Sequence, residues 1–198
     1  MNQPEFVESV RDANETALSR LGSSKSLYAL TEGEMDEDVV LSRAADLSYY
    51  AAETFDAWAD DHDAFATAAD VEREHYDTVA GKLDDHEPGE ASAIYDTLAD
   101  LDGTAARLGG LVGWAVVVGE TTGQLTGYFT GQADPQTSQV FRTIRGEVEE
   151  IRDTALDALA EDGDWDAARE AADAVVQQAY DEYFETLEDL GVNPKPVC

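Results

Sequence analysis

Apolar residues recur at three- and four-residue steps along almost the whole chain, and no long stretch alternates apolar with polar. That periodicity predicts helices and leaves no place for a sheet, because a half-buried strand hides every second residue. Helices are expected over about 5–21, 36–59, 64–83, 90–101, 104–129, 137–159 and 164–190, with a short turn at Ser26–Leu30. The punctuation between them is ordinary. Gly22-Ser23-Ser24, the Asp84–Gly89 linker with Pro88, Asp102-Gly103, a turn over Gly131–Pro135 and Gly163-Asp164 separate the segments, and Gly191 caps the last. The tail Val192–Cys198 holds two prolines and is expected to be extended. At 198 residues one domain can bury a substantial core, and no shift in composition divides the chain, so a single all-α domain over 1–198 is expected.

The apolar faces show which helices should meet. On the second long helix the stripe is Leu41, Ala44, Ser48, Ala51, Phe55 and Trp58; on the third it is Phe65, Ala68, Glu72, His75 and Val79. The third stripe returns 76 residues later as Phe141, Ile144, Val148, Ile151 and Ala155. With a preceding helix in each half, this predicts two helix pairs facing each other as a four-helix bundle.

Glu72 and His75 stand one turn apart on one helix face, inside an apolar stripe. A buried unpaired charge costs several kcal/mol, so something must satisfy them. Either a cation is held by carboxylate and imidazole, or the two hydrogen-bond to each other or to Tyr49 or Tyr50 across the hairpin. The string FATAADVEREHYDTV, Phe65 to Val79, resembles the second helix of rubrerythrins and other ferritin-like di-iron proteins, in which the Glu and His of EREH are iron ligands. The resemblance implies a ferritin-like four-helix bundle with its core at about 36–160 and additional N- and C-terminal helices at 5–21 and 164–190. Its chemistry would be peroxide or oxygen reduction at a pair of irons.

Carried over one position at a time, that ligand set is incomplete. Glu72 and His75 match the first Glu-x-x-His, but the second falls on Val148 and Ile151, which cannot bind iron. Glu147 and Glu150 have the right mutual spacing yet lie about 100° around the helix and are expected to face solvent. On the second helix the position is Ser48, and Asp46 and Glu53 point nearly opposite that stripe. Glu120 matches a further ligand on an apolar helix where it should be buried, while its companion position is Gly123. Glu72, His75 and Glu120 therefore remain as metal candidates, enough for at most one iron or manganese ion. The expected function is non-enzymatic binding or assembly on a bundle that has lost its di-iron ligands; the alternative is a non-haem iron or manganese oxidoreductase acting on peroxide or oxygen.

Charge narrows the partners. Forty-four acidic residues stand against twelve basic ones, a net charge of -32, and the acids are spread over the chain instead of forming a block. In molar salt the Debye length falls to about 3 Å, so carboxylates keep such a surface hydrated without self-repulsion, and a halophilic setting is expected. Nucleic acid and anionic membranes need clustered Lys or Arg and are not expected partners. No basic start precedes an apolar segment at the N-terminus, which predicts a cytoplasmic protein. The apolar run Leu108–Gly119 is too short to span a bilayer. Cys198, the only cysteine, excludes an internal disulfide or a cysteine-rich zinc site and reads as an inert tail thiol. Gly119, Gly123, Gly127 and Gly131 form a ridge whose lost helix propensity, about 1 kcal/mol each, must be offset by close packing. That packing is expected within the chain, the alternatives being a homodimer seam or a small-ligand groove.

Overall fold

The structure, a computed structural model, describes residues 1–194; Cys198 lies outside the described residues. Every regular element among them is a helix. In chain order they are α1 (Gln3–Ala13), α2 (Glu15–Leu21), α3 (Ser24–Leu30), α4 (Glu37–Asp56), α5 (Asp63–Ala80), α6 (Ala93–Ala99), α7 (Thr104–Gly131), α8 (Pro135–Asp162) and α9 (Trp165–Asp189). None is long and apolar enough to cross a membrane.

The architecture is organised around α7. Each residue from Leu108 to Val118 is buried, so this stretch has no solvent face. A helix apolar on all sides belongs at the centre of a domain. Helices α8 and α9 lie along α7, α4 and α5 form a second hairpin, and α5 meets α8 across the interior. The Trp114 and Phe55 rings meet edge to face with centroids 4.9 Å apart, which joins α7 to α4. At the α7–α8 turn Phe129 and Phe141 stack at 5.5 Å.

Several local expectations change. The predicted first helix is broken into α1 and α2 at Asn14, whose side chain is buried and satisfied by three polar partners. Its amide donates to Val10 O at 2.8 Å and to Asp173 Oδ1 at 2.6 Å, and its Oδ1 accepts from Gln177 at 2.6 Å. Asparagine's local hydrogen bonding competes with the helix ladder, which explains the break. The expected turn at Ser26–Leu30 is the body of α3. Pro135 opens α8 instead of closing a turn: Asp134 caps the helix by accepting from the N–H groups of Gln136 and Thr137, and proline fits the first helical position because it has no N–H to lose. The Thr137 hydroxyl first, then the Thr137 and Gln136 N–H groups, hold the Asp134 carboxyl below the usual range.

The glycine ridge does not do what its spacing predicts. A Cβ on Gly119, Gly127 or Gly131 would meet nothing within 4 Å, and on Gly123 only the end of Arg145. The close approach occurs about two to three turns earlier. A Cβ on Gly113 would lie 2.7 Å from Ala172 O, and one on Gly109 would collide with the Ala168 backbone. Gly109 and Gly113, four apart, let α7 touch the α9 backbone where Ala168 and Ala172 also lack bulk.

Candidate functional site

Two polar clusters are built into the α4–α5 half, and each is centred on a histidine. The first begins with the helical phase of α5, which turns Glu72 and His75 inward until they are 1% and 3% exposed. One turn apart, they pair through His75 Nδ1 and Glu72 Oε1 at 2.9 Å. The other ring nitrogen, Nε2, meets Glu147 Oε2 from α8 at 2.8 Å. Glu147 is thus not simply solvated as its phase predicts: its side chain, 45% exposed, reaches back across the α5–α8 contact. Glu150 is exposed.

Burial by itself lowers the His75 pKa, because a buried imidazolium loses its hydration. The hydrogen bonds and negative charges of Glu72, then of Glu147, outweigh that effect and the pKa is raised above its ordinary 6.5. With a carboxylate at each nitrogen, the form that satisfies both is the imidazolium, donating twice. A metal needs the opposite, a neutral ring offering one lone pair. The two carboxylates also sit at opposite ends of the ring, so they cannot share one ion with it. The arrangement does not fit the expected metal centre.

Glu120, the third candidate, is not brought to this pair. It is partly exposed, its Oε1 lies 3.3 Å from Arg11 Nη1 of α1, and its other oxygen borders Gly22. Apolar neighbours along α7 predicted burial, but α1 and α2 cover that stretch with polar atoms. No group of three or more His, Cys, Asp or Glu side chains placed to hold a metal ion occurs among the described residues. Ser48 is buried, and Glu53 is exposed as its phase predicts.

The second cluster surrounds Asp46, which is 5% exposed despite a phase that predicts solvent. It escapes the bundle interior and is buried all the same, because the linker after α5 folds over it. Gly89 N–H donates to Asp46 Oδ1 at 3.1 Å, Arg43 lies 3.7 Å from Oδ2, and His86 Nε2 stands 3.1 Å from Oδ1. This last contact is close enough for an ion pair, but its direction is poor for a hydrogen bond and leaves Nε2 without one. On the far side of the ring, Ser42 Oγ is 3.2 Å from Nδ1. Tyr50 donates to Gly89 O at 2.5 Å, pinning the linker a third time.

Serine, histidine and aspartate in one row raise the question of nucleophilic catalysis, and the backbone answers it. Ser42 lies inside α4, where neighbouring N–H groups are committed to carbonyls four residues back, so none is free to stabilise an oxyanion. The cluster fastens the linker. Sequence periodicity could not reveal it, since His86 lies outside any helix. No protein-family model, no curated protein and no solved structure matches the chain.

Proposed function

We propose that the chain is a ferritin-like helical bundle of a salt-adapted cytoplasm that works by binding or assembly and carries no redox centre. The observation that carries this reading is the engagement of both nitrogens of His75, by Glu72 and by Glu147. A ligand histidine keeps one nitrogen for its metal and gives the other to an outer partner. Here both are spent on carboxylates. The bundle arrangement draws support from the α4–α5 and α7–α8 hairpins and from Glu147, whose neighbour Val148 is the register mate of Glu72. On this reading the pair is the remnant of a ligand set turned into a clasp between α5 and α8.

The test is elemental analysis of the protein purified in molar salt, with His75→Ala alongside. We expect no stoichiometric iron or manganese and no peroxide turnover in either protein. About two ions per chain, the complement of a carboxylate-bridged pair, or one ion lost on His75→Ala, would overturn the proposal.

A further inference from the structure

Between α5 and α6 the chain runs along α4 from Asp84 to Ala91 without a backbone-to-backbone hydrogen bond among the described residues. Its ends are fixed. Leu83 N–H donates to Ala80 O at 3.0 Å, and Glu182 of α9 accepts from Ser92 Oγ at 2.5 Å and from Ala93 N–H at 3.3 Å. Between those ends it is held by Ser42, Asp46 and Tyr50, which stand four residues apart and so share one face of α4. Only two residues receive them. His86 lies against Ser42 and Asp46, and Gly89 gives its N–H to Asp46 and its carbonyl to Tyr50. No residue of 84–91 joins the apolar core. A segment with so few buried contacts and one bonded N–H belongs to the low-stability end of a fold and can open while the helices stay formed.

Charge sets the condition for opening. The segment carries Asp84, Asp85, Glu87 and Glu90 against His86 alone, and the residue that latches it, Asp46, is itself an acid. Asp38 of α4 shares a hollow with Asp84 and Asp85, where the cations are Lys82 and Arg43, and Arg43 is already engaged by Glu32 and Asp46. Salt acts unequally on these forces. The four acids of the segment are exposed, so a screening length of about 3 Å in molar salt silences their repulsion and one of about 10 Å at 0.1 M restores it. The contacts at Asp46, 5% exposed, are short and enclosed and are screened little in either case. Falling salt therefore adds repulsion without strengthening the latch. We propose that residues 84–91 form a salt-operated strap, closed on α4 in molar salt and released, with the helices still folded, as salt falls. Release bares the Ser42, Asp46 and Tyr50 face of α4 and removes the wall that Glu90 and Ala91 give to the half-open cavity beside α4, α6 and α9. The strap rests on the salt-adapted reading.

The test follows exchange of the Gly89 N–H by NMR in the full chain as KCl is lowered from 2 M to 0.1 M. A peptide of residues 84–92 in the same salt supplies the unprotected rate, and circular dichroism tracks the helices. We expect at least about tenfold protection in 2 M KCl, falling below about twofold at a salt concentration where helicity keeps its 2 M value. Asp84→Asn/Asp85→Asn/Glu87→Gln should keep the strap protected at 0.1 M. Asp46→Ala should abolish protection even in 2 M KCl, and Tyr50→Phe, which leaves Asp46 in place, should lower it about threefold. An unprotected Gly89 in 2 M KCl, protection lost only together with helicity, or a triple variant as salt-sensitive as the parent would overturn the proposal. A melting temperature that falls with salt while Gly89 stays protected sinks the strap alone, whereas indifference of both to salt sinks the salt-adapted reading with it.

Discussion

His75→Ala is the most informative perturbation, because its expected effect has two parts that a second variant separates. Removing a ring that is 3% exposed leaves a hole among packed helices, and truncations of comparable size cost about 2–5 kcal/mol depending on collapse. The same change strands Glu72, 1% exposed, without its partner, and an orphaned buried polar group costs about 1–3 kcal/mol or more. Partial relaxation around the hole limits the sum, so we expect a loss of about 4 kcal/mol, in the range for breaking a buried pair. Glu147→Gln should cost under about 1 kcal/mol, since that side chain is 45% exposed and water screens its charge. Glu72→Leu/His75→Leu removes both charged partners and fills much of the space, and should be milder than His75→Ala, within about 2 kcal/mol of the parent. Urea unfolding in molar KCl, followed by helical circular dichroism at constant m, gives each value. A loss below about 1 kcal/mol for His75→Ala, or a double variant as damaged as the sum of its single changes, would refute the clasp.

Stability should fall as pH rises above about 6.5: a raised His75 pKa in the folded state contributes stability that is complete below the unfolded value and is lost as pH passes through the folded one. Melting temperatures of the parent and of His75→Gln between pH 6 and 9 check this, and parallel curves would contradict it. Gly127→Ala on the open ridge should stabilise by about 0.5–1 kcal/mol from helix propensity, whereas Gly113→Ala should destabilise because its Cβ would press on Ala172 O; denaturation midpoints with matching signs would refute the packing assignment. Lowering salt from molar to about 0.1 M lengthens screening to about 10 Å and should lower the melting temperature, while an unchanged value would contradict the proposed salt adaptation.

What the sequence made legible follows from periodicity. Glu72 and His75 interrupt an apolar stripe, and one turn of helix is enough to place both inside. Asp46 and Glu147 were illegible for a shared reason. Phase around a helix axis tells which way a side chain leaves, and says nothing of what loop folds over it or how far a flexible stem bends back. Asp46 leaves α4 away from the bundle and is buried by the 81–92 linker, which has no period to read. Glu147 leaves α8 off the core face, and its three-carbon side chain still covers the distance to His75. The glycines were misread at a different level. Four-residue spacing marks a face of α7, but only the position of α9 distinguishes Gly109 and Gly113, which are in contact, from Gly127 and Gly131, which are not.

Both buried clusters obey one electrostatic constraint. A chain with 44 acidic and 12 basic residues has few lysines and arginines with which to neutralise a carboxylate taken out of water. Arginines serve where the acid is partly exposed, as Arg11 does for Glu120, or stand at a distance, as Arg43 does from Asp46. Where the carboxylate is almost fully enclosed, a histidine ring stands against it: His75 for Glu72 and His86 for Asp46. An imidazole is compact and flat, so it fits between helices without the long stem of an arginine, and each of its two nitrogens can meet a polar partner. His75 spends its second donor on Glu147 and thereby ties α5 to α8; His86 turns its second nitrogen to Ser42 and keeps the linker on α4. The third histidine, His62, has no carboxylate partner among the described residues and instead caps α5 by accepting from Ala64 N–H at 3.0 Å, which requires a bare lone pair on Nδ1. Histidine in this protein therefore takes opposite roles according to its neighbours: His75 is a double donor between two glutamates, and His62 is an acceptor at a helix start. The resemblance of EREH to a ligand motif and its use as a clasp have the same physical origin, the need of a buried glutamate for a positive partner, which either a metal ion or a second proton on His75 can meet.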